Sequence, residues 1–164
     1  DGQIYLEGSL FYAGIRPAIN VGISVSRVGG AAQPKAIRQV AGKLRLDMAS
    51  FRELAAFAQF GSDLDKTTQS QLNRGYRLQE ILKQGQYAPV SMEKQAAVLY
   101  AGTNGYADKV ALERMAEWEI SLLRFLETAY PESLTDIAAK NQITPENEAQ
   151  LREAILGFMA SWAG

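Results

Sequence analysis

The sequence predicts a mainly α-helical protein, a C-terminal helical bundle preceded by a short segment that contains β-strands. From residue 34 onward, apolar residues recur every three or four positions, which is the spacing of one face of an α-helix. Before residue 34, short β-prone runs alternate with glycines and a proline, which are typical of turns. We therefore divide the chain into residues 1–33 and residues 34–164.

Composition limits the chemistry available to this protein. Its 164 residues are 47% hydrophobic and 21% charged, and the net charge is −1. These values are ordinary for a globular protein and give no electrostatic reason to bind nucleic acid. The absence of cysteine and histidine excludes disulfides, thiolate metal sites and histidine-based catalysis. The sequence has no phosphate loop, no metal-ligand cluster and no apolar run long enough to span a membrane.

In the first segment, residues 4–7 and 18–23 are predicted strands, because they are short and β-prone. Gly8, Gly14 and Pro17 lie between them and mark turns. Two short strands cannot bury their faces alone. We therefore expect this segment to belong to a sheet whose other strands lie upstream of residue 1.

Six helices are expected after the boundary. The first begins at Pro34, which suits a first turn, and closes at Gly61. The second follows the capping residues Ser62, Asp63 and Asp65 and runs to about residue 83. A loop over residues 84–89 then leads to the third helix.

The last four helices are delimited by caps and prolines. Ser91 is expected to cap the third helix, which ends near residue 102. The fourth spans residues 115–130, and Pro131 separates it from a short fifth helix. Thr144 is the expected cap of the last helix, with Pro145 at its first position. The buried stripes of the fourth and last helices are Met115, Trp118, Leu122, Leu126 and Tyr130, and Leu151, Ile155, Phe158, Met159 and Trp162.

Three groups of polar residues could carry chemistry. Arg27 follows a hydrophobic strand and precedes two glycines, a position where α/β folds bind ligands, and its planar guanidinium suits phosphate oxygens. A plain surface arginine is the alternative. Gln84 and Gln86 have amides that can pair with a nucleobase edge, and Arg16 with Pro17 could flank a base. Asp63 and Asp65 have the spacing of caps and solvated charges rather than of a catalytic pair.

Five strings in the same order give the protein a family resemblance. Residues 14–29 (GIRPAINVGISVSRVG) closely resemble the end of the nucleotide-binding domain of F-type ATP synthase alpha subunits. Residues 1–4 (DGQI), 57–65 (FAQFGSDLD), 82–89 (LKQGQYAP) and 100–102 (YAG) are similar to the same family. The resemblance covers residues 1–106, and the helical pattern of residues 107–164 agrees with it. The barrel and phosphate loop that precede this region in the family are missing here.

The resemblance implies that the subunits of the complex have different roles. Alpha and beta subunits of the family alternate in a ring, and the catalytic sites lie mostly on beta. By position in the motif, Arg27 would be an arginine finger inserted into the neighbouring beta site, with Ser26 beside it. Arg16, Pro17, Gln84 and Gln86 would form the adenine pocket of a non-catalytic nucleotide site. Residues 1–33 would then be the end of the nucleotide-binding domain.

The resemblance also implies partners and a location. The loop containing Gly61, Ser62, Asp63 and Asp65 would face the rotor. Expected partners are beta subunits, the central-stalk gamma subunit and the peripheral stalk or delta subunit. The full subunit would bind ATP or ADP with Mg²⁺, but we expect no ligand on this part alone and no catalysis by it. The complex would be peripheral to the bacterial inner membrane, on its cytoplasmic side, or to the equivalent matrix or stromal face.

A second hypothesis needs no nucleotide. The residue patterns alone also fit a helical protein-interaction module. A phosphate loop upstream of residue 1 would favour the ATP synthase hypothesis over this one. Under the ATP synthase hypothesis, the side chains of Arg16, Pro17, Gln84 and Gln86 should come together in the fold and line one shallow pocket. Arg27 should be substantially exposed.

Overall fold

A computed structural model of the protein describes residues 2–58 and 64–162. Within these residues the fold is mainly helical, as predicted, with seven α-helices and one two-stranded sheet. The strands are β1 (Gly2–Gln3) and β2 (Val25–Ser26), and the helices are α1 (Gly8–Tyr12), α2 (Lys35–Ala58), α3 (Lys66–Ile81), α4 (Met92–Thr103), α5 (Met115–Ala129), α6 (Pro131–Lys140) and α7 (Pro145–Ser161). No helix in this described part is long and apolar enough to cross a membrane.

The first segment pairs antiparallel with itself, but its strands lie elsewhere than predicted. Residues 5–7 and 18–20 run side by side, with a single bridge between Leu6 and Ile19, while residues 21–23 form a turn. The regular ladder is formed instead by Gly2–Gln3 with Val25–Ser26. The hydroxyl of Ser24 accepts the backbone N–H of Tyr5 at 3.0 Å, so a side chain replaces the carbonyl that would continue the ladder. The treatment of residues 1–33 as a separate domain stays a prediction.

The helix boundaries after residue 34 follow their capping chemistry. The carboxylate of Asp65 accepts the backbone N–H groups of Thr67 and Thr68 at 2.8 and 3.0 Å, which confirms it as the cap of α3. Thr144 caps α7 by accepting the N–H of Asn147 at 3.2 Å. Ser91 occupies the N-cap position of α4, as predicted, although its hydroxyl makes no capping hydrogen bond to the helix. The hydroxyl donates to the Glu93 carboxylate instead, which is why it does not serve the helix end.

The centre of the bundle is α4, which packs against α2, α3, α5 and α6. Small residues make this burial possible, because Ala96, Ala97 and Ala101 have no exposed surface. A Cβ atom on Gly102 would lie 2.7 Å from a methyl carbon of Ile81 on α3. Helices that approach this closely exclude larger side chains at the contact.

The last three helices enclose an aromatic core around Trp118. Its side chain is fully buried, and its indole N–H lies 3.2 Å from the sulfur of Met159. The Phe158 ring packs against Trp118 and Phe125, with centroids 6.4 and 5.7 Å apart. The predicted stripes of α5 and α7 are therefore confirmed as core, except that Tyr130, Met159 and Trp162 are only partly buried.

The start of α2 is fastened to the turn between α6 and α7. The Gln39 amide donates to the carbonyl of Ile143 and accepts its backbone N–H, both at 2.9 Å. The N–H of Ala36 donates to the carbonyl of Asn141 at 2.9 Å. These bonds join residues more than one hundred positions apart, so they close the bundle between its first and last helices.

A glycine on α3 sets the distance between α2 and α3. A Cβ atom added to Gly75 would overlap the ring of the buried Phe51 and lie 2.6 Å from its Cβ. We expect Gly75→Ala to lower the free energy of unfolding by about 1–3 kcal/mol, because the helices must move apart. Urea denaturation measures the change.

The matched control for this substitution is Gly42→Ala on α2. Gly42 is also helical, but a Cβ atom there meets nothing within 4 Å. This variant should gain about 0.5–1 kcal/mol from helix propensity. Equal effects of the two substitutions would contradict the packing argument.

Candidate functional site

The structure brings together two of the predicted nucleotide-binding elements. The backbone N–H of Gln84, just past the end of α3, donates to the carbonyl of Arg16 at 2.8 Å. Arg16 lies in the first segment, 68 positions earlier in the sequence. This backbone contact places Gln84 beside Arg16, whereas a shared pocket lined by the side chains of Arg16, Pro17, Gln84 and Gln86, and its role in binding a nucleotide, stay predictions.

The loop that follows α3 is shaped by two glutamine amides. We call residues 84–90 the 84–90 loop. The side-chain amide of Gln84 donates to the carbonyl of Ala88 at 2.7 Å, which closes the loop on itself. The amide of Gln95, on α4, donates to the carbonyl of Val90 at 2.6 Å and holds the far end. Gln86 projects from the loop as an exposed residue.

The Arg16 side chain is positioned by an aromatic ring. Its guanidinium carbon lies 4.0 Å from the centroid of the Phe11 ring, within the range of a cation–π interaction. Phe11 is in α1, a helix that the sequence did not predict. Pro17 is exposed next to Arg16. An exposed guanidinium with one face on a ring and an exposed proline beside it can offer a flat, partly apolar surface to a planar ligand.

Arg27 lies at the end of β2 and is exposed, as expected. The hydroxyl of Ser26 accepts the backbone N–H of Gly29 at 2.9 Å, which stabilises the turn after the strand. Gly29 has φ +50°, a conformation that a side chain would strain. Ser26 therefore has a structural role in shaping the turn on which Arg27 is carried.

The predicted rotor-facing loop is described only in part. Gly61, Ser62 and Asp63 lie outside the described residues. Asp65 is exposed, and hydrogen bonds to its carboxylate, first from the backbone N–H and then from the hydroxyl of Thr68, lower its pKa. This carboxylate stays ionised at neutral pH and stabilises the helix start, while its part in contacting a rotor stays a prediction.

A cavity of about 110 Å³ lies beneath the 84–90 loop. The ends of α3 and the loop, together with α4 and α5, line it, and Glu119 is the acidic residue in the lining. Its side chain is half-buried, and desolvation by burial raises its pKa from 4.5 to about 7. Within the described residues, this carboxylate has no hydrogen-bond or ion-pair partner.

Sequence reasoning missed Phe11 and Glu119. Phe11 has no helical periodicity around it, since α1 has only five residues. Glu119 had a usable signal, because it lies four residues after Met115 and three before Leu122, both fully buried. A carboxylate at that spacing faces the edge of the buried stripe.

The first segment exposes much apolar surface. Its large hydrophobic side chains with at least 45% of their surface exposed are Ile4, Tyr5, Leu6, Phe11, Tyr12, Val21, Ile23, Val25 and Val28. Such a density is unusual for a solvated surface and is typical of a contact face. Among the described residues, no group of three or more acidic side chains could hold a metal ion.

The comparisons with known proteins agree with one another on the family that this chain resembles. The family described as ATP synthase alpha/beta chain, C terminal domain, matches residues 33–158. An ATP synthase subunit alpha from Sulfurovum sp. (strain NBC37-1) is 58% identical over 164 residues, which are 100% of this chain and 32% of that protein. An ATP synthase subunit alpha from Desulforudis audaxviator (strain MP104C) is 56% identical over 158 residues, 96% of this chain and 31% of that protein. The chain thus spans about a third of the length of these relatives.

The raised pKa of Glu119 predicts a dependence of stability on pH. Between pH 4.5 and about 7, the folded carboxyl keeps a proton that the unfolded chain releases, so its contribution to stability falls as the pH rises. Glu119→Gln mimics the neutral acid. At pH 8 it should raise the free energy of unfolding by about 1–2 kcal/mol, an amount reduced for solvent screening of a half-buried group.

The control is Glu117→Gln on the same helix. Hydrogen bonds from Arg114 lower the pKa of this exposed carboxyl, so its ionised form is the favoured one. Thermal unfolding of the wild type, Glu119→Gln and Glu117→Gln at pH 4 and pH 8 compares their stabilities. If Glu119→Gln stabilises the protein at pH 8 by the same amount as at pH 4, the Glu119 carboxyl does not titrate between these pH values.

Proposed function

The protein belongs to the family of C-terminal domains of ATP synthase alpha and beta subunits, and on that premise we propose that it is the C-terminal part of an alpha subunit of a rotary ATP synthase. The observation that carries the proposal is the identity of 58% across all of this chain with a relative named as an alpha subunit. In this role the protein takes part in coupling ATP synthesis or hydrolysis to ion flow, without being catalytic alone.

Arg27 is proposed as the arginine finger for a catalytic site on a neighbouring beta subunit. Its exposure and its place at the end of β2 support this role, since a residue that reaches into a neighbour cannot belong to its own core. The bond from Gly29 to the Ser26 hydroxyl fixes the turn that carries it. A guanidinium held in place can stabilise the charge that develops on a transferring phosphoryl group.

Arg16, Pro17, Gln84 and Gln86 are proposed to bind the adenine of a non-catalytic nucleotide. The 2.8 Å bond between Gln84 and Arg16 supports a shared site, because it joins the two segments that would flank the base. The amide of Gln84 gives one donor to Ala88, which leaves its oxygen as an acceptor. Phosphates and Mg²⁺ of ATP or ADP would be held by the part of the subunit that precedes these residues.

The proposed partners are beta subunits, the central-stalk gamma subunit and the peripheral stalk or delta subunit. The exposed apolar surface of the first segment would pack against the preceding sheet of the same subunit. The loop with Gly61, Ser62, Asp63 and Asp65 would face the rotor. The protein would then reach the membrane only through the complex, on the cytoplasmic side in bacteria or the equivalent organellar face.

The arginine-finger role predicts a selective loss of turnover. In the assembled complex, Arg27→Ala should lower the ATP hydrolysis rate by roughly 10³–10⁵-fold, because a finger acts on the transition state. Arg27→Lys should rescue poorly, since lysine keeps the charge without the two-pronged geometry. Nucleotide affinity and the thermal midpoint should change little.

An exposed arginine elsewhere provides the control. Arg124 lies on the exposed side of α5, so Arg124→Ala should leave turnover unchanged. Multi-site ATP hydrolysis, nucleotide titration and thermal unfolding of all variants separate the possibilities. Normal turnover of Arg27→Ala, or failure of that variant to fold, would make Arg27 a structural residue.

If the adenine site is correct, substitutions in it should weaken nucleotide binding while the protein still folds. Gln86→Ala and Gln84→Ala should each lower ATP affinity at the non-catalytic site by about two- to twelve-fold, the effect of one hydrogen bond. Gln71→Ala, on the exposed side of α3, is the matched control. Affinity is measured by titrating the nucleotide-depleted complex with ATP. Unchanged affinity in both loop variants would remove the adenine assignment.

A further inference from the structure

The cavity beneath the 84–90 loop contains a carboxyl group that the proposed function does not use. Glu119 enters this space of about 110 Å³ from α5, below a lining that includes Val98 and Leu99 of α4. Several water molecules could fit, but a largely apolar lining solvates a carboxylate poorly. The neutral acid is therefore the form that suits this cavity, which agrees with the raised pKa of Glu119.

Two amide donors line the same cavity. Gln84 and Gln95 both contribute to its wall, and each currently donates to a loop carbonyl, to Ala88 at 2.7 Å and to Val90 at 2.6 Å. An ionised carboxylate is a stronger acceptor for such amides than a backbone carbonyl, roughly twice as strong. Ionisation of Glu119 would thus compete for the two bonds that shape the loop.

The other charged group in the lining does not neutralise Glu119. Lys83, just past the end of α3, also faces the cavity, but its ammonium donates to the carboxylate of Glu80 at 2.6 Å. The residues that α4 contributes, Gln95, Val98 and Leu99, are uncharged, as are Gln84 and Val90 from the loop. On α5, the exposed Glu117 is bound by Arg114 at 3.0 Å. Glu119 is therefore the group whose charge changes within the cavity near neutral pH.

We propose that Glu119 and the amides of Gln84 and Gln95 form a proton-dependent clamp on the 84–90 loop. With the carboxyl protonated, the amides hold the loop through Ala88 and Val90. With the carboxyl ionised, they turn toward it and release the loop. Since this loop carries Gln84 and Gln86, the clamp makes retention of the non-catalytic nucleotide depend on pH, a consequence that rests on the proposed function.

Hydrogen exchange of the loop amides tests the clamp itself. The measurement uses the nucleotide-depleted full-length subunit in its complex, at pH 6 and pH 8, corrected for the intrinsic pH dependence of exchange. We expect loop exchange to be faster at pH 8 by about two- to twelve-fold, the effect of one net hydrogen bond. Glu119→Gln should remove this difference and keep exchange slow at both values, whereas Glu117→Gln should behave as wild type.

Loop exchange that is independent of pH, or equally pH-dependent in wild type and Glu119→Gln, would overturn the clamp. The wild-type titration alone gives a second readout, because its midpoint should lie near pH 7.

ATP titration of the same complexes tests the consequence separately. Glu119→Gln should bind ATP more tightly than wild type at pH 8 and equally at pH 6. Equal affinities at pH 8 would overturn the regulatory role even if the loop exchanges as expected. A different result would rule out the proposed adenine site. In that case Gln84→Ala and Gln86→Ala would leave the ATP affinity unchanged at both pH values.

Discussion

The close approach of four helices to α4 is the constraint on which the other contacts depend. This helix has buried residues on nearly all of its sides, and α2, α3, α5 and α6 pack on it. Alanines at its contacts let the neighbouring backbones come near, and Gly102 lies directly under the ends of Ile81 and Leu78. A larger side chain at these positions would push out several helices at once, because the interior is closely packed.

The placement of the candidate nucleotide site follows from that packing. Since α3 is held on α4, its end delivers Gln84 to the carbonyl of Arg16, and the start of α4 delivers Gln95 to the carbonyl of Val90. The 84–90 loop is thus fastened at both ends by helices that cannot move independently. The first segment adds Arg16 on the Phe11 ring, but leaves its own apolar face exposed. The bundle therefore holds the 84–90 loop and the carbonyl of Arg16 next to each other.

Charge within the bundle is arranged according to solvent access. Ion pairs such as Arg74 with Asp108 lie at half-exposed positions, where water screens them and their contribution to stability is small. Glu119 differs because its carboxyl enters a largely apolar cavity without an ionic partner among the described residues. A single group of this kind can respond to pH near neutrality.

The sequence by itself determined the helices after residue 34, since periodicity, Asp65, Thr144 and the prolines act locally. It also determined the family, through the ordered strings around Arg16, Arg27 and Gln84. It did not determine the register of the first segment, because the Ser24 hydroxyl intercepts a backbone N–H that propensity assigns to a ladder. Only the tertiary structure decided that the Phe11 ring supports Arg16 and that Glu119 is half-buried, whereas the meeting of Arg16 with Gln84 was expected from the family resemblance. The burial of Glu119 arises from side chains far from it in the sequence, such as Ile81 and Val90, and contacts of this kind depend on how helices pack rather than on any local pattern.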